Sequence, residues 1–170
     1  MQSEELFTGH GWRVTMDSAP LSDGRVKKAA RVHRCDSVHI IAFKNQEKIL
    51  LLRQFRPFYG DYLWMLPSGK VDKETDPDTG AERELREETG YRSLSMKKYC
   101  TTRHSESLDS ANHIYIAHDL EPAPLPQDDD ELIEVHEVSV DEAIARVLGS
   151  PHVHTVSAYA LLRYARDHTQ

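Results

Sequence analysis

The chain has 170 residues, 21 basic against 28 acidic side chains, and a formal charge of −7. A content of 39% hydrophobic and 29% charged residues is that of one folded domain with its own core, and it excludes a fibrous or disordered chain. Net negative charge argues against nucleic acid bound through a basic face, and an anionic substrate would need a cation to neutralise it.

Taken in chain order, the opening MQSEELFTGH is polar and acidic, with neither a basic nor an apolar signal region. The longest apolar run, 49–52, is far too short to span a membrane. A cytoplasmic chain is expected, with Cys35 and Cys100 as reduced thiols. Residues 1–36 read as a small β unit, with strands at 12–16 and 26–32 around the turn-rich SAPLSDGR. Runs at 38–43 and 49–55 predict a hairpin whose second strand is buried on both faces. A short apolar segment, 62–66, ends at Pro67-Ser68-Gly69. Next comes a helix over 77–89, with Asp76 as N-cap, Pro77 at the first position and Gly90 just past the end. Strands follow at 95–101, 112–118 and 132–138, then helices at 140–148 and 154–167. The proline-rich EPAPLPQ and the acidic DDDE form one exposed loop. Strands interrupted by a helix predict an α/β layered fold.

On the helix at 77–89, Glu84, Glu87 and Glu88 stand at i, i+3 and i+4 and share one face. Such a cluster is either a solvated surface or, facing a concavity, a hard-oxygen site suited to Mg²⁺ or Mn²⁺. His152 and His154 form an HxH pair without the partners of a zinc site. The chain has no P-loop, no G-x-G-x-x-G and no G-x-S-x-G.

The segment GKVDKETDPDTGAERELREETGY closely resembles the Nudix box, G-x5-E-x7-R-E-U-x-E-E-x-G-U, with U bulky and apolar. Gly69, Arg83, Glu84, Leu85, Glu87, Glu88, Gly90 and Tyr91 match eight of its nine defined positions, and Thr75 stands where the box has Glu. The flanking RQFRPFYGDYLWMLPSGKVD resembles the ADP-ribose pyrophosphatase branch, and the resemblance covers residues 12–168. Against that branch, Met65 stands for Glu, Ser68 stands for Ala, and the usual proline after the box is missing.

This resemblance implies a Nudix-type α/β/α sandwich with a mixed central sheet. It makes 1–170 a single domain, with 1–36 an arm that helps form a homodimer and 37–170 a catalytic core. The implied reaction is metal-dependent hydrolysis of the pyrophosphate in a nucleoside diphosphate linked to a sugar. It gives Glu84 and Glu88 as metal ligands, with Glu87 sharing or bridging and the Ser68 carbonyl completing the set. Mg²⁺ is the expected metal and Mn²⁺ its alternative. Arg83 anchors the loop, and Leu85 and Tyr91 belong to the core. Glu131 best matches the general base, with Asp129, Asp130 and Glu134 as alternatives. Arg56 matches a diphosphate contact; Arg31 and Trp12, in the arm, match groups at the nucleotide base. Two other readings stay open on sequence: a different nucleotide as substrate, such as an oxidised triphosphate or dinucleoside polyphosphate, and a non-catalytic nucleotide sensor.

Overall fold

The computed structural model describes residues 2–73, 76–128 and 131–168. Thr75, Asp129 and Asp130, singled out above, lie outside the described residues, as does Glu74. Three β-strands open the chain: β1 (Gln2–Gly9), β2 (Trp12–Pro20) and β3 (Val26–His33). They pair antiparallel in order, and β9 (Leu108–Asp109) adds in parallel to β3. The sequence pattern missed β1 because almost all of it is exposed; its backbone pairs with β2, but its side chains show no buried alternation.

A mixed sheet follows, in the order β7 (Ser68–Lys70), β4 (Ser37–Ala42), β10 (Ala111–Pro122), β8 (Tyr91–Arg103). Only β4 with β10 is parallel in it. An antiparallel sheet of β11 (Ile133–Val138), β5 (Ile49–Arg56) and β6 (Asp61–Met65) lies beside it. The hairpin expected from β4 and β5 is therefore not formed. The two strands meet at one bridge, Phe43 with Ile49, and belong to different sheets. Burial explains this: all of β4 and the first half of β5 are buried, so each takes a neighbour on both edges, and mutual pairing would have displaced one of them.

Helix α1 (Pro77–Thr89) matches its expected bounds. The Asp76 carboxylate accepts from the Asp78 and Thr79 N–H groups at 3.3 and 3.1 Å, and Gly90 closes the helix at φ 78°. Helices α2 (Val140–Leu148) and α3 (Thr155–His168) also form where expected. Period-two alternation along β4 sends Val38, Ile40 and Ala42 into a core with Ala81 and Leu85 of α1. Ile41 and, just past the strand, Phe43 join Ala143 and Val147 of α2 and Leu161 of α3 in a second core. The helices thus cover opposite faces, which is the α/β/α layering. Among the described residues no helix is long and apolar enough to cross a membrane.

Candidate active site

The apolar face of α1 buries Ala81 and Leu85, and this draws Glu84 and Glu88 under the short strand β7. Glu88 is buried and accepts the Ser68 N–H at 2.6 Å. Glu84 lies against the backbone of Gly69: a Cβ there would stand 2.0 Å from the Glu84 carboxyl carbon. Any larger residue at 69 would have to displace the carboxylate, which occupies the place of a side chain.

Arg83 ties this corner together. It reaches the Lys70 carbonyl at 3.0 Å, the Glu84 carboxylate at 2.8 Å and the Glu87 carboxylate one turn on. Glu87 is also 3.7 Å from the Lys73 ammonium. Loop anchoring by Arg83 and core packing by Leu85 are thus seen directly, while Tyr91 packs at the margin of the core.

Burial pushes the Glu84 carboxyl up to about 7; the Arg83 guanidinium opposes the shift, and Glu87 and Glu131 add to it. Burial also holds Glu88 well above the ordinary carboxylate range, helped by Glu84 and Glu131 and opposed by the Ser68 N–H and Arg56. The charge of Glu131 thus acts on both Glu84 and Glu88, and that of Arg56 on Glu88. Three mutually repelling acids are a hard-oxygen donor set that a divalent cation suits. Among the described residues, however, no three acidic, His or Cys side chains converge as a ready-made metal cluster; Glu84 and Glu87 are turned to Arg83 and Glu88 to the Ser68 N–H.

Glu131 comes from the acidic loop that leads into β11. The Phe55 N–H donates to the Leu132 carbonyl at 3.1 Å, and Ile133 pairs with Gln54. Gln54 is buried, and its Nε2 donates to Glu131 at 3.2 Å. Glu134 turns away to Arg53 at 2.9 Å. Arg56, at the end of β5, places a guanidinium nitrogen 3.3 Å from the Met65 sulfur.

The arm residues are set apart from these groups. Arg31 is held by Asp17 at 3.2 Å and Asp109 at 3.4 Å. Trp12 is 41% exposed, with the Arg34 guanidinium 5.9 Å from its ring centre. It lines a surface cleft of about 420 Å³ together with Gly9, His33 and Arg34. No contact joins Trp12 or Arg31 to Glu84, Glu88 or Glu131 among the described residues.

Sequence reasoning missed three supports. Gln54 is one; its signal was a lone amide inside an apolar strand. Ser157, fully buried on α3, accepts the Leu66 N–H at 2.9 Å and meets His154 Nδ1 at 2.7 Å. His39, paired with Ser68 across β4 and β7, packs its ring 5.5 Å from that of His154. Burial keeps both neutral, His39 down at about 3 and His154 at about 4, with Arg56 also opposing the charged form of His154.

Comparison with known proteins places the chain in a family and supports its fold. The NUDIX domain family matches residues 33–159. The methanol dehydrogenase activator of Bacillus methanolicus is 31% identical over 147 residues, 85% of this chain and 80% of that protein. The ADP-ribose pyrophosphatase of Bacillus subtilis is 29% identical over 161 residues, 93% of this chain and 87% of that protein. A crystal structure of an ADP compounds hydrolase shares the fold at TM-score 0.80 and 19% identity, covering 98% of this chain and 93% of that one. With its box residues gathered around one buried carboxylate pair and most of its length matched, the chain belongs to the Nudix family.

Proposed function

We propose that the protein hydrolyses the pyrophosphate bond of a nucleoside diphosphate joined to a sugar, ADP-ribose or another nucleotide sugar, releasing nucleoside monophosphate and sugar phosphate. The observation that carries this reading is the Glu84–Glu88 pair, buried beneath β7 with Glu88 on the Ser68 N–H and Glu84 against Gly69. The similarity to ADP-ribose pyrophosphatases of Bacillus subtilis and of Mycobacterium tuberculosis supports the substrate class.

In this reading Glu84, Glu88, the Ser68 carbonyl and Glu87 hold Mg²⁺, or Mn²⁺ in its place. When bound, the cation neutralises the diphosphate and makes water a better nucleophile. Arg56 binds the diphosphate oxygens. The thioether of Met65, unlike a carboxylate, leaves that guanidinium charge for Glu88 and an incoming anion. Glu131 takes a proton from the attacking water as its oxygen meets phosphorus opposite the bridging oxygen. Arg83, gripping the Lys70 carbonyl, keeps the loop under the carboxylates. Residues 1–36 serve as an arm that pairs two copies, bringing Trp12 and Arg31 to the nucleotide base, and 37–170 form the catalytic core.

A panel assay tests this. ADP-ribose, GDP-mannose, UDP-glucose, a dinucleoside polyphosphate and an oxidised triphosphate are each incubated with and without Mg²⁺, coupled to a phosphatase. Metal-dependent turnover of a sugar nucleotide, lost in Glu88→Gln, is expected. Turnover confined to the last two compounds overturns the substrate class, and no turnover at all overturns the enzyme reading.

A further inference from the structure

A cleft of about 430 Å³ opens at the carboxyl ends of β4 and β10, the parallel pair of their sheet. Past these ends the chain leaves in different directions. β4 leads to β5 of the other sheet, and β10 leads to the end of α1, where the Ala123 N–H donates to the Gly90 carbonyl at 2.9 Å. Such an exit is where layered α/β domains commonly hold a ligand. His39 pairs with Ser68, and Phe43 lies four residues further on, so the cleft stands about 13 Å along the strand from the catalytic loop. Its walls are aromatic. The His118 ring stacks on Phe43 at 4.8 Å and 17°, and Tyr164 of α3 packs 5.3 Å from Phe43. Phe43 is buried and His118 is exposed, so an imidazole is held on a fixed base at the surface. Asp119, next in the chain, sits at φ 54°, a region that glycine visits more cheaply. The β10–β8 register passes from His118–Ser95 to Leu120–Ser93 without pairing Asp119, and the Ser93 hydroxyl donates to the His118 carbonyl at 2.7 Å. Such a break re-aims a side chain, and an aspartate kept in a strained place is explained when its carboxylate is used. Among the described residues that carboxylate has no hydrogen bond or ion pair. The Lys44 ammonium on the same cleft has no ion pair there either; it lies 3.8 Å from the centre of the Tyr91 ring.

We propose that this cleft binds a nucleoside monophosphate whose base carries an exocyclic amine, at a site separate from the catalytic one. The base lies on the His118 ring. The Asp119 carboxylate, which can only accept, takes an N–H of the amine, and the Lys44 ammonium meets the phosphate. The three groups answer to a plane, a donor and an anion. A sugar phosphate lacks the plane and the donor, and a nucleoside lacks the anion. The proposed hydrolysis releases a molecule of this class, but the assignment rests on the cleft and not on that reading.

The test reads binding and not turnover, so its failure is distinct from failure of the proposed reaction. The full-length chain, kept in a chelator, is titrated calorimetrically with AMP, UMP, adenosine and ribose 5-phosphate. AMP is expected to bind, and each of the other three to bind at least about tenfold more weakly. No binding of AMP at millimolar concentration overturns the proposal, as does equal binding of AMP and ribose 5-phosphate. Lys44→Met is expected to bring AMP down to the affinity of adenosine. Asp119→Gly removes the acceptor and the strain together. Its Tm should equal or exceed that of the wild type, while AMP loses at least about tenfold in affinity and its advantage over UMP disappears. A higher Tm with AMP affinity unchanged overturns the proposal, because Asp119 is then a turn residue only. Photo-crosslinking of the wild type with an azido derivative of AMP, mapped by mass spectrometry, gives a second test that needs no variant to fold. Label is expected on the peptide that holds His118 or on the one that holds Tyr164. Label confined to peptides holding Trp12 or Arg56 overturns the assignment, because the nucleotide then occupies the substrate site.

Discussion

Glu88 is both an acid out of place and the best-held group in the site. Its carboxyl is buried, faces Glu84 and Glu131, and has the Ser68 N–H as its hydrogen-bond donor. In the unfolded chain Glu84 and Glu88 ionise near 4.3; in the folded protein Glu84 is raised to about 7 and Glu88 is raised in the same direction. From the ordinary carboxylate value up to at least pH 7 the folded state therefore holds more protons than the unfolded state, and stability falls as pH rises through that window. In the presence of a chelator, Tm should be lower at pH 8 than at pH 5. Glu88→Gln keeps an oxygen for the Ser68 N–H but cannot ionise, so it should flatten that fall while lowering turnover by more than about a hundredfold, beyond the loss usual for an outer-shell group. A Tm equally steep in the variant would show that other groups set the slope. Gly69→Ala probes the same pair from the loop side. The added methyl meets the Glu84 carboxyl, and overpacking of this kind costs about 1–3 kcal/mol, or roughly 2–10 °C in Tm for a chain of this size. Isothermal titration should show weaker Mg²⁺ binding as well; unchanged binding and Tm would mean that Glu84 has room to move aside.

At the scale of elements, α3 controls the loop on which the site is built. Its buried Ser157 accepts the Leu66 N–H, two residues before Ser68, and His154 braces the hydroxyl from the other side. Ser157→Ala leaves a buried N–H unpaired, an expected loss of about 1–3 kcal/mol. Hydrogen exchange should show the Leu66 amide losing protection while the centre of β4 keeps its own; a Leu66 amide as protected as before would place the support elsewhere. This link was not legible in the sequence. Ser157 read as one position of an amphipathic helix, and only tertiary contact gives its hydroxyl a partner. By contrast α1 was legible to the residue, because its signals are local: Asp76 and Pro77 start it, Gly90 stops it, and the glutamates recur at its period. The β4–β5 hairpin was misread for the opposite reason. Two buried strands with a polar link satisfy the local pattern of a hairpin, but strand partners are chosen by burial on both faces, and β10 and β11 lie far along the chain. Glu131 was picked out of its acidic run by the resemblance alone; its nearness to Gln54 depends on the β5–β11 ladder.

Across the whole molecule, the N-terminal sheet is the least self-sufficient part. It is stitched to the rest where the loop after β8 supplies β9, and Asp109 gathers His33 at 3.0 Å, Arg103 at 3.1 Å and Arg31 at 3.4 Å. These are polar contacts at the margin, and half-exposed ion pairs contribute little each. Inside the sheet the buried positions of β2 are Thr15 and Asp17, not an apolar core. Outside it, Leu6 and Phe7 are each 52% exposed and Val26 is 62% exposed. A sheet with polar residues inside and apolar ones outside needs a further surface to cover it. A second copy of the chain is the occupant that the proposed homodimer supplies, and in that reading it would bring Trp12 and Arg31 to its partner's active site. Light scattering on the wild type should therefore give a mass near twice that of the chain. Replacing Leu6 and Phe7 together by Asp places charge where apolar contact is needed. That variant should run as a monomer whose KM for the nucleotide rises more than its kcat falls, because in the proposed reading the lost groups would bind the base and not the reacting phosphate. A wild type that is monomeric and fully active would detach the arm from catalysis and leave base recognition to the core alone.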